Sequence, residues 1–201
     1  MVQSAESVVT PERFSNGMTY AEYVASIDRN QKRFDENYAA TEIAPADVTA
    51  FKALMAKPNG PAKMMVVGED WCPDVFRGLP VFARLAEATG IEMRVFKRDE
   101  HKDIIGEFLK GGEHESIPVA VFYTKDHRYI AHFIERPQLA NDEMRSVLAP
   151  MYARLRKPAA TPEEKEAIKQ EYIAFQNGPV WSNWRQETVR ECIRMIEAKV
   201  S

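Results

Sequence analysis

The sequence predicts an α/β fold in which helices flank a mixed four-stranded sheet, with further helices at both ends of the chain. Four short apolar runs between residues 63 and 134 have the length of buried strands. Segments with apolar residues at helical spacing lie between these runs and after them. The resulting order, βαβαββα, joins a parallel βαβ unit to an antiparallel hairpin. Because 201 residues only slightly exceed an average domain, we predict one domain over residues 1–201.

The N-terminal part is predicted to be helical. The first dozen residues are polar, and we expect them to be poorly ordered. Thr19 and Glu22 have the spacing of a capping box, and apolar residues recur from there to Tyr38 at helical intervals, which predicts one long amphipathic helix. A second helix is predicted to begin near Pro45. Residues 19–57 therefore form a predicted N-terminal helical extension.

The central part carries the predicted sheet, in short apolar runs bounded by turn residues. The last two runs are separated by a plausible hairpin turn, and the third is apolar on both faces, as expected for an interior strand. Strands are predicted over 64–67, 93–96, 117–123 and 129–134, and helices over 74–88, 101–110 and 138–156.

The C-terminal part is again predicted to be helical. Thr161 and the residues after it combine a cap, an early proline and early acids, which predicts a helix start. A last helix is predicted to begin near Ser182, with apolar residues along one face. Residues 161–200 therefore form a predicted C-terminal helical extension.

Composition excludes several classes of protein. Hydrophobic residues make up 45% of the chain and charged residues 28%, which leaves enough apolar material for a core. The net charge of −3 gives no basic field, so neither nucleic acid nor a membrane is expected as a partner. No apolar run approaches the ~20 residues that span a bilayer, and the N-terminus lacks the pattern of a secretory signal. We therefore expect a cytoplasmic protein.

The two cysteines, Cys72 and Cys192, lie too far apart in sequence to indicate a disulfide framework. Cys192 falls on the apolar face of the last predicted helix and is expected to be a small core residue. A disulfide between the two would need Cα atoms within about 7 Å, which the sequence does not establish. The four histidines show no metal-ligand spacing, so no metal and no other cofactor is expected.

Cys72 lies where a predicted strand ends and a predicted helix begins, in the turn Trp71-Cys72-Pro73-Asp74-Val75. The free amides and the dipole of a helix N-terminus stabilise a thiolate, so this position favours thiol chemistry. Asp74 acts in the opposite direction, because a nearby negative charge disfavours the thiolate.

These residues resemble the thioredoxin-like family. Beyond the Trp-Cys turn, Pro80 lies eight positions after the cysteine, and Ile117-Pro118 opens the third strand, where the family has a cis-proline. The resemblance covers residues 63–156, the predicted thioredoxin-like core, and implies that backbone beside Pro118 pairs with an extended substrate. The turn and the segment Glu135-Arg136-Pro137 are similar to a bacterial thioredoxin-like subgroup that has lost the second cysteine.

Two departures from the family pattern limit the chemistry. The second cysteine of the family would stand at position 75, where this chain has Val75. The family's buried acid, six positions before the first cysteine, corresponds to Val66. Because the second thiolate releases the substrate from a mixed disulfide, this chain cannot complete a dithiol cycle within the turn.

The sequence therefore leaves two functions open. The first is a monothiol thioredoxin-like protein in which Cys72 is catalytic, Trp71, Pro73, Ile117 and Pro118 contact the substrate, and an external thiol resolves the mixed disulfide. The substrate would be a protein or a low-molecular-weight thiol or disulfide. The alternative is a redox-inactive binding module on the same scaffold. The first function predicts a pKa of Cys72 below the free value of about 8.5. Oligomeric state is not predicted.

Overall fold

Four strands form one mixed sheet at the centre of the molecule, in a computed structural model that describes residues 7–157, 161–176 and 178–200. The strands are β1, Lys63–Gly68; β2, Glu92–Lys97; β3, Val119–Tyr123; and β4, Tyr129–Ile134. They lie in the order β2-β1-β3-β4, with β1 parallel to β2 and β3 antiparallel to both β1 and β4. The predicted mixed sheet and its parallel and antiparallel pairs are confirmed.

Helices surround this sheet on both faces and continue beyond it. Those in the first part of the chain are α1, Pro11–Ser15; α2, Tyr20–Ala25; α3, Gln31–Ala39; α4, Pro45–Met55; and α5, Pro73–Thr89. Those in the second part are α6, Lys102–Gly106; α7, Gln138–Leu155; α8, Pro162–Gln176; and α9, Pro179–Glu197. Among the described residues, no helix has both the length and the apolar character needed to cross a membrane.

The helix α5 packs closely on the sheet because every residue from Val75 to Ala83 is buried, and all of these except Arg77 and Gly78 have apolar side chains. Pro73 occupies its first position, where a missing N–H costs nothing, and Gly90 ends it in the left-handed conformation. Pro80 lies inside the helix, as predicted. Each fully buried Leu or Phe of this face contributes about 1.5–3 kcal/mol of transfer free energy.

The expectation of a poorly ordered N-terminus is wrong for the described residues from position 7 onward. Val9 and Phe14 are buried in the main core, and Thr10 caps α1 by accepting a hydrogen bond from the Arg13 N–H. The His127 ring bonds the Val9 carbonyl oxygen at 2.7 Å. Two apolar side chains in a polar segment are therefore enough to fix it on the core, while residues 1–6 lie outside the described residues.

The long helix predicted from position 20 to 38 is also wrong, because the chain breaks into α2 and α3. Asn30 adopts the left-handed conformation, with φ of 58°. The Asp70 carboxylate accepts hydrogen bonds from the Asp28 and Arg29 N–H groups, at 3.2 and 3.0 Å. A tertiary contact with the loop after β1 thus satisfies amides that a continuous helix would have bonded internally. The capping box of Thr19 and Glu22 is confirmed.

The helix predicted over 101–110 is shorter than expected. Helix α6 ends at Gly106, and the chain then forms a turn closed by an isolated bridge between Lys110 and His114. Gly111 and Gly112 both have positive φ in this turn, a conformation that glycine adopts without strain.

The helix that joins the main core after β4 is α9. Its apolar face, Val189, Cys192 and Ile196, packs into the same core as β1 and α5. By contrast, Leu148 and Met151 of α7 form a small separate cluster with Ile168 of α8. The sheet is therefore covered by a helix that lies in the predicted C-terminal extension.

Candidate functional site

Cys72 is the N-cap residue of α5 and is partly exposed. Its backbone is extended, and its carbonyl oxygen accepts the first hydrogen bonds of the helix from the Val75 and Phe76 N–H groups. The following Pro73 fixes the first helical residue. Local sequence therefore places the sulfur at the positive end of a 17-residue helix.

The sulfur of Cys72 lies against the backbone that precedes β3. The Cys72 thiol donates a weak hydrogen bond to the Ile117 carbonyl oxygen, with 3.7 Å between the sulfur and the oxygen. The Ile117–Pro118 peptide bond is cis. Pro118 approaches α5 at Gly78, where a Cβ atom would come within 3.0 Å of the proline ring. Glycine at position 78 thus allows the close contact that brings Pro118 beside the turn.

Val75 fills the position of the missing second thiol with hydrocarbon. Its side chain is buried and packs on Gly68 of β1, where a Cβ would come within 2.7 Å of the valine Cγ1. Val66, at the position of the family's buried acid, is also fully buried. The interior beneath Cys72 is therefore apolar and offers the sulfur no second thiol and no carboxyl group from β1.

Burial raises the pKa of the Cys72 thiol above its ordinary value. The Glu135 carboxylate acts in the same direction, whereas the Val75 N–H and the cations Arg77 and Arg136 act in the opposite one. The Val75 N–H at the helix N-terminus thus lowers this pKa, as expected, but loss of hydration at the half-buried sulfur outweighs it, and the pKa below about 8.5 that the monothiol function predicts is not found.

Trp71 lies on the outer side of the turn, where its side chain is 41% exposed. The Arg98 guanidinium stacks over its ring at 4.8 Å, and its indole N–H donates to the Asp99 carboxylate at 3.4 Å. The Asp99 N–H in turn donates to the Glu69 carboxylate at 2.7 Å. These contacts fix the ring beside the site, with one face partly open to solvent.

A network of charged side chains adjoins the cysteine and was not predicted. Asp74 pairs with Arg77 in the next turn of α5 and with Arg136 after β4, the latter at 2.8 Å. Arg136 also pairs with Glu135, and Glu135 accepts from Lys110 at 2.5 Å. Because the partners are separated by up to 62 positions, sequence spacing gives no sign of the network.

Arg77 is the most buried member of this network, with 5% of its surface exposed. Its guanidinium stacks on Trp181 at 4.1 Å and lies 5.5 Å from Trp184, both buried in α9. Burial, helped by the positive charge of Arg136, lowers the pKa of Arg77 to about 10. The sequence does contain a sign of this buried cation, since Arg77 interrupts an otherwise apolar stretch of the helix.

Both cysteines are free, and Cys192 is completely buried in the main core. Its predicted role as a core residue is confirmed. Burial raises the pKa of its thiol far above the ordinary value. Within the described ranges, no group of three or more His, Cys, Asp or Glu side chains could hold a metal ion.

Comparison with known proteins identifies the family. A family model described as thioredoxin matches residues 17–153, more than half of the chain. This chain belongs to the thioredoxin family. The match begins before the predicted core, so the family region includes most of the N-terminal helices.

Two solved structures resemble this thioredoxin-family chain over almost its whole length. A protein of unknown function from Pseudomonas aeruginosa is 17% identical, with a TM-score of 0.63, covering 94% of this chain and 98% of that one. An HIV epitope scaffold is 18% identical, with a TM-score of 0.60, covering 93% and 96%. At these identities the likeness shows the fold alone. No curated protein matches the chain.

The thioredoxin fold brings most of the predicted site residues together. Cys72, Pro73, Ile117 and Pro118 meet where the start of α5 faces the start of β3. Trp71 is next to them in the chain, but its ring is turned toward Arg98 and Asp99. Ile117 is 3% exposed, so its side chain is buried, and its carbonyl oxygen already accepts the Cys72 thiol.

Proposed function

We propose that this protein performs thiol–disulfide exchange through Cys72 alone, and that a thiol from outside the chain completes the reaction. The observation that carries the proposal is the position of the Cys72 sulfur against the backbone of Ile117 and cis-Pro118. The resemblance to the thioredoxin family implies that backbone beside Pro118 pairs with an extended substrate and holds it beside the sulfur. Ile117 and Pro118 themselves are buried in this structure.

The exchange has two steps, and each step breaks one disulfide bond and forms another. The Cys72 thiolate attacks one sulfur of a substrate disulfide, forming a mixed disulfide and releasing the other sulfur as a thiolate. An external thiolate then attacks the substrate sulfur of the mixed disulfide, and Cys72 leaves as a thiolate that takes up a proton. The substrate is a protein or a low-molecular-weight disulfide.

The raised pKa of Cys72 makes both steps slow near neutral pH. A smaller fraction of the sulfur is present as thiolate, so attack is infrequent. A thiol of higher pKa is also a poorer leaving group, so the mixed disulfide is long-lived. Val75 supplies no thiol to shorten that lifetime. The reaction therefore favours covalent capture of a substrate over rapid turnover.

Intact-mass spectrometry of the full chain with glutathione disulfide tests the proposal. We expect one glutathione adduct per chain at pH 8.5, removed by dithiothreitol and absent in Cys72→Ser. The matched control, Cys192→Ala, keeps the adduct, because Cys192 is buried. Absence of an adduct under conditions that modify a free cysteine peptide overturns the proposal.

A second candidate is a redox-inactive binding module. The burial that raises the Cys72 pKa favours it, since an unreactive thiol carries out no exchange. This candidate predicts that Cys72 forms no glutathione adduct and that Cys72→Ser keeps every interaction of the protein. The adduct experiment therefore separates the two functions.

A further inference from the structure

We infer that the outer face of α7 is a docking surface for an acidic, partly apolar segment of a partner protein. The surface is a groove of about 470 Å³ beside α7. It is defined by Arg136, Asn141, Met144, Arg145, Leu148, Ala149, Tyr152, Ala153 and Arg156. The inference does not depend on the chemistry of Cys72.

The residues of the groove share one face of the helix. Apart from Arg136, they recur at intervals of three and four positions from Asn141 to Arg156, so they form one stripe along the helix. At 1.5 Å per residue, this stripe is about 22 Å long. That length accommodates about seven residues of extended peptide, at roughly 3.3 Å each.

The charge of the groove is of one sign. Three arginines line it, and its lining contains no carboxylate. The two acids of α7 lie outside this lining, where Glu143 accepts from the Trp184 indole and Asp142 from Gln138. Arg136 is balanced by Asp74 and Glu135, so the positive charge of the groove comes from Arg145 and Arg156, although the whole chain carries a net charge of −3.

Two of these arginines have no carboxylate partner. Among the described residues, Arg145 and Arg156 form no ion pair, whereas Arg154, on the same helix, pairs with Glu171 at 2.6 Å. Both unpaired side chains are exposed. An acidic ligand would supply the charges that the protein itself does not.

Apolar contact area lies between the charges. Tyr152 is 46% exposed, and Met144 and Leu148 line the floor of the groove beside it. Exposed aromatic rings and arginines are the residue types most enriched at protein interfaces. The alternation of cation and apolar side chain fits a peptide that carries both glutamate and leucine-like residues better than it fits a bare anion.

The groove also adjoins the cysteine site. Arg136 stands at its end, where one guanidinium nitrogen contacts the Met144 sulfur at 3.3 Å and another the Asp74 carboxylate at 2.8 Å. Asp74 is two residues after Cys72. A partner segment bound in the groove would therefore place neighbouring parts of that partner near the sulfur.

Fluorescence anisotropy with a labelled peptide tests the inference. The probe is a twelve-residue peptide of repeating Glu-Glu-Leu-Leu, compared with one in which glutamine replaces glutamate. We expect saturable binding of the acidic peptide, weakened by salt, and at least tenfold weaker binding of the glutamine peptide. In Arg145→Glu/Arg156→Glu we expect at least tenfold loss, with an unchanged melting temperature.

Matched controls make the result specific to the groove. Arg29→Glu/Lys32→Glu changes the net charge equally at exposed positions near α3 and should bind the acidic peptide as the native chain does. Equal loss in both variants overturns the inference, as does equal binding of the two peptides. Binding to vesicles of phosphatidylserine and phosphatidylcholine, without binding of the peptide, overturns it too.

The same assay separates this inference from the proposed function. The Cys72→Ser variant should bind the acidic peptide with unchanged affinity, because Cys72 does not line the groove. If the peptide binds but Cys72 forms no glutathione adduct, only the proposed exchange fails. If the adduct forms and the peptide does not bind, only the docking surface fails.

Discussion

At the scale of single residues, the proposed exchange makes the side chain at position 75 the one that sets how long a substrate would stay attached to Cys72. Val75 lies one helical turn beyond the sulfur, in an apolar pocket against Gly68. Its hydrocarbon surface supplies no nucleophile, so under the proposed function release would depend on thiols from outside the chain.

We predict that Val75→Cys shortens the life of the mixed disulfide. A thiol at position 75 attacks the Cys72–glutathione bond within the same molecule, which favours the reaction through proximity. Once excess reagent is removed, the adduct should decay at least tenfold faster than in the native chain by intact mass. Val75→Ser is the control and should retain the adduct. Equal lifetimes in the cysteine and serine variants would show that position 75 does not reach the sulfur.

Cys192 should make the native fold less stable at alkaline pH. Because burial raises its pKa in the folded state, the folded chain holds the thiol proton more tightly than the unfolded chain. The resulting stability is complete below the unfolded pKa of about 8.5 and decreases as the pH rises above it.

Between pH 8 and pH 10, this loss should reach about 2 kcal/mol, at 1.36 kcal/mol per unit. Urea unfolding at both pH values, native against Cys192→Ala, isolates the contribution of this thiol from those of Cys72 and the tyrosines. The free energy of unfolding should decrease less in the alanine variant. Parallel pH dependence in the two proteins would contradict the prediction.

Residue spacing predicted that Cys72 and Pro118 lie close together, and it missed the charged side chains around them. Cys72 and Pro118 follow fixed positions relative to strand and helix, so local patterns located them. The pairing of Asp74 with Arg136 joins positions 62 apart and depends on how β4 ends. The sequence also did not predict that the pKa of Cys72 is raised, because its depth of burial is set by chain segments that are distant in sequence.

At the scale of secondary-structure elements, Arg77 links α5 to α9. It pairs with Asp74 on its own helix and stacks on Trp181 of the other. A buried cation between two helices is stabilised by an opposite charge and by an aromatic ring, and here Asp74 and Trp181 supply them.

We predict that Arg77→Met destabilises the protein by about 3 kcal/mol, because it leaves part of the Asp74 charge uncompensated in a buried site. Arg128→Met removes an exposed ion pair with Asp126 and should cost less than about 1 kcal/mol. Chemical unfolding of both variants measures the difference. A similar small cost for both would mean that Arg136 alone compensates Asp74.

The elements that were predicted correctly have strong local signals, and those that were not depend on tertiary contacts. The four strands and α4 follow apolar runs and turn residues. The break between α2 and α3 is determined by Asp70, a residue about 40 positions further along the chain. No window of sequence around position 30 contains that information.

At the scale of the whole molecule, the sheet is completed by the last helix of the chain. Ile196 of α9 is fully buried in the same core as β1. The predicted core of residues 63–156 has no helix of its own that fills this place, because α7 packs mainly with α8 and α9.

We therefore predict that a chain ending at residue 157 does not fold cooperatively. It exposes the faces of α5 and β4 that α9 covers, and lacks Val189, Cys192 and Ile196, whose burial contributes roughly 1.5–3 kcal/mol for each large side chain. Thermal unfolding followed by circular dichroism should show no sigmoidal transition. Co-expression with residues 161–200 should restore it. A cooperative transition in the truncated chain alone would show that the core is complete without α9.

The position of α9 also has a consequence for the order of events on the ribosome. Residue 196 is translated 124 positions after Cys72. At 5–20 residues per second, about 6 to 25 s pass between them. During that interval the nascent chain lacks the helix that closes its core, so the apolar face of α5 that α9 covers stays open. The apolar surface that can form non-native contacts is therefore largest while α9 is still untranslated.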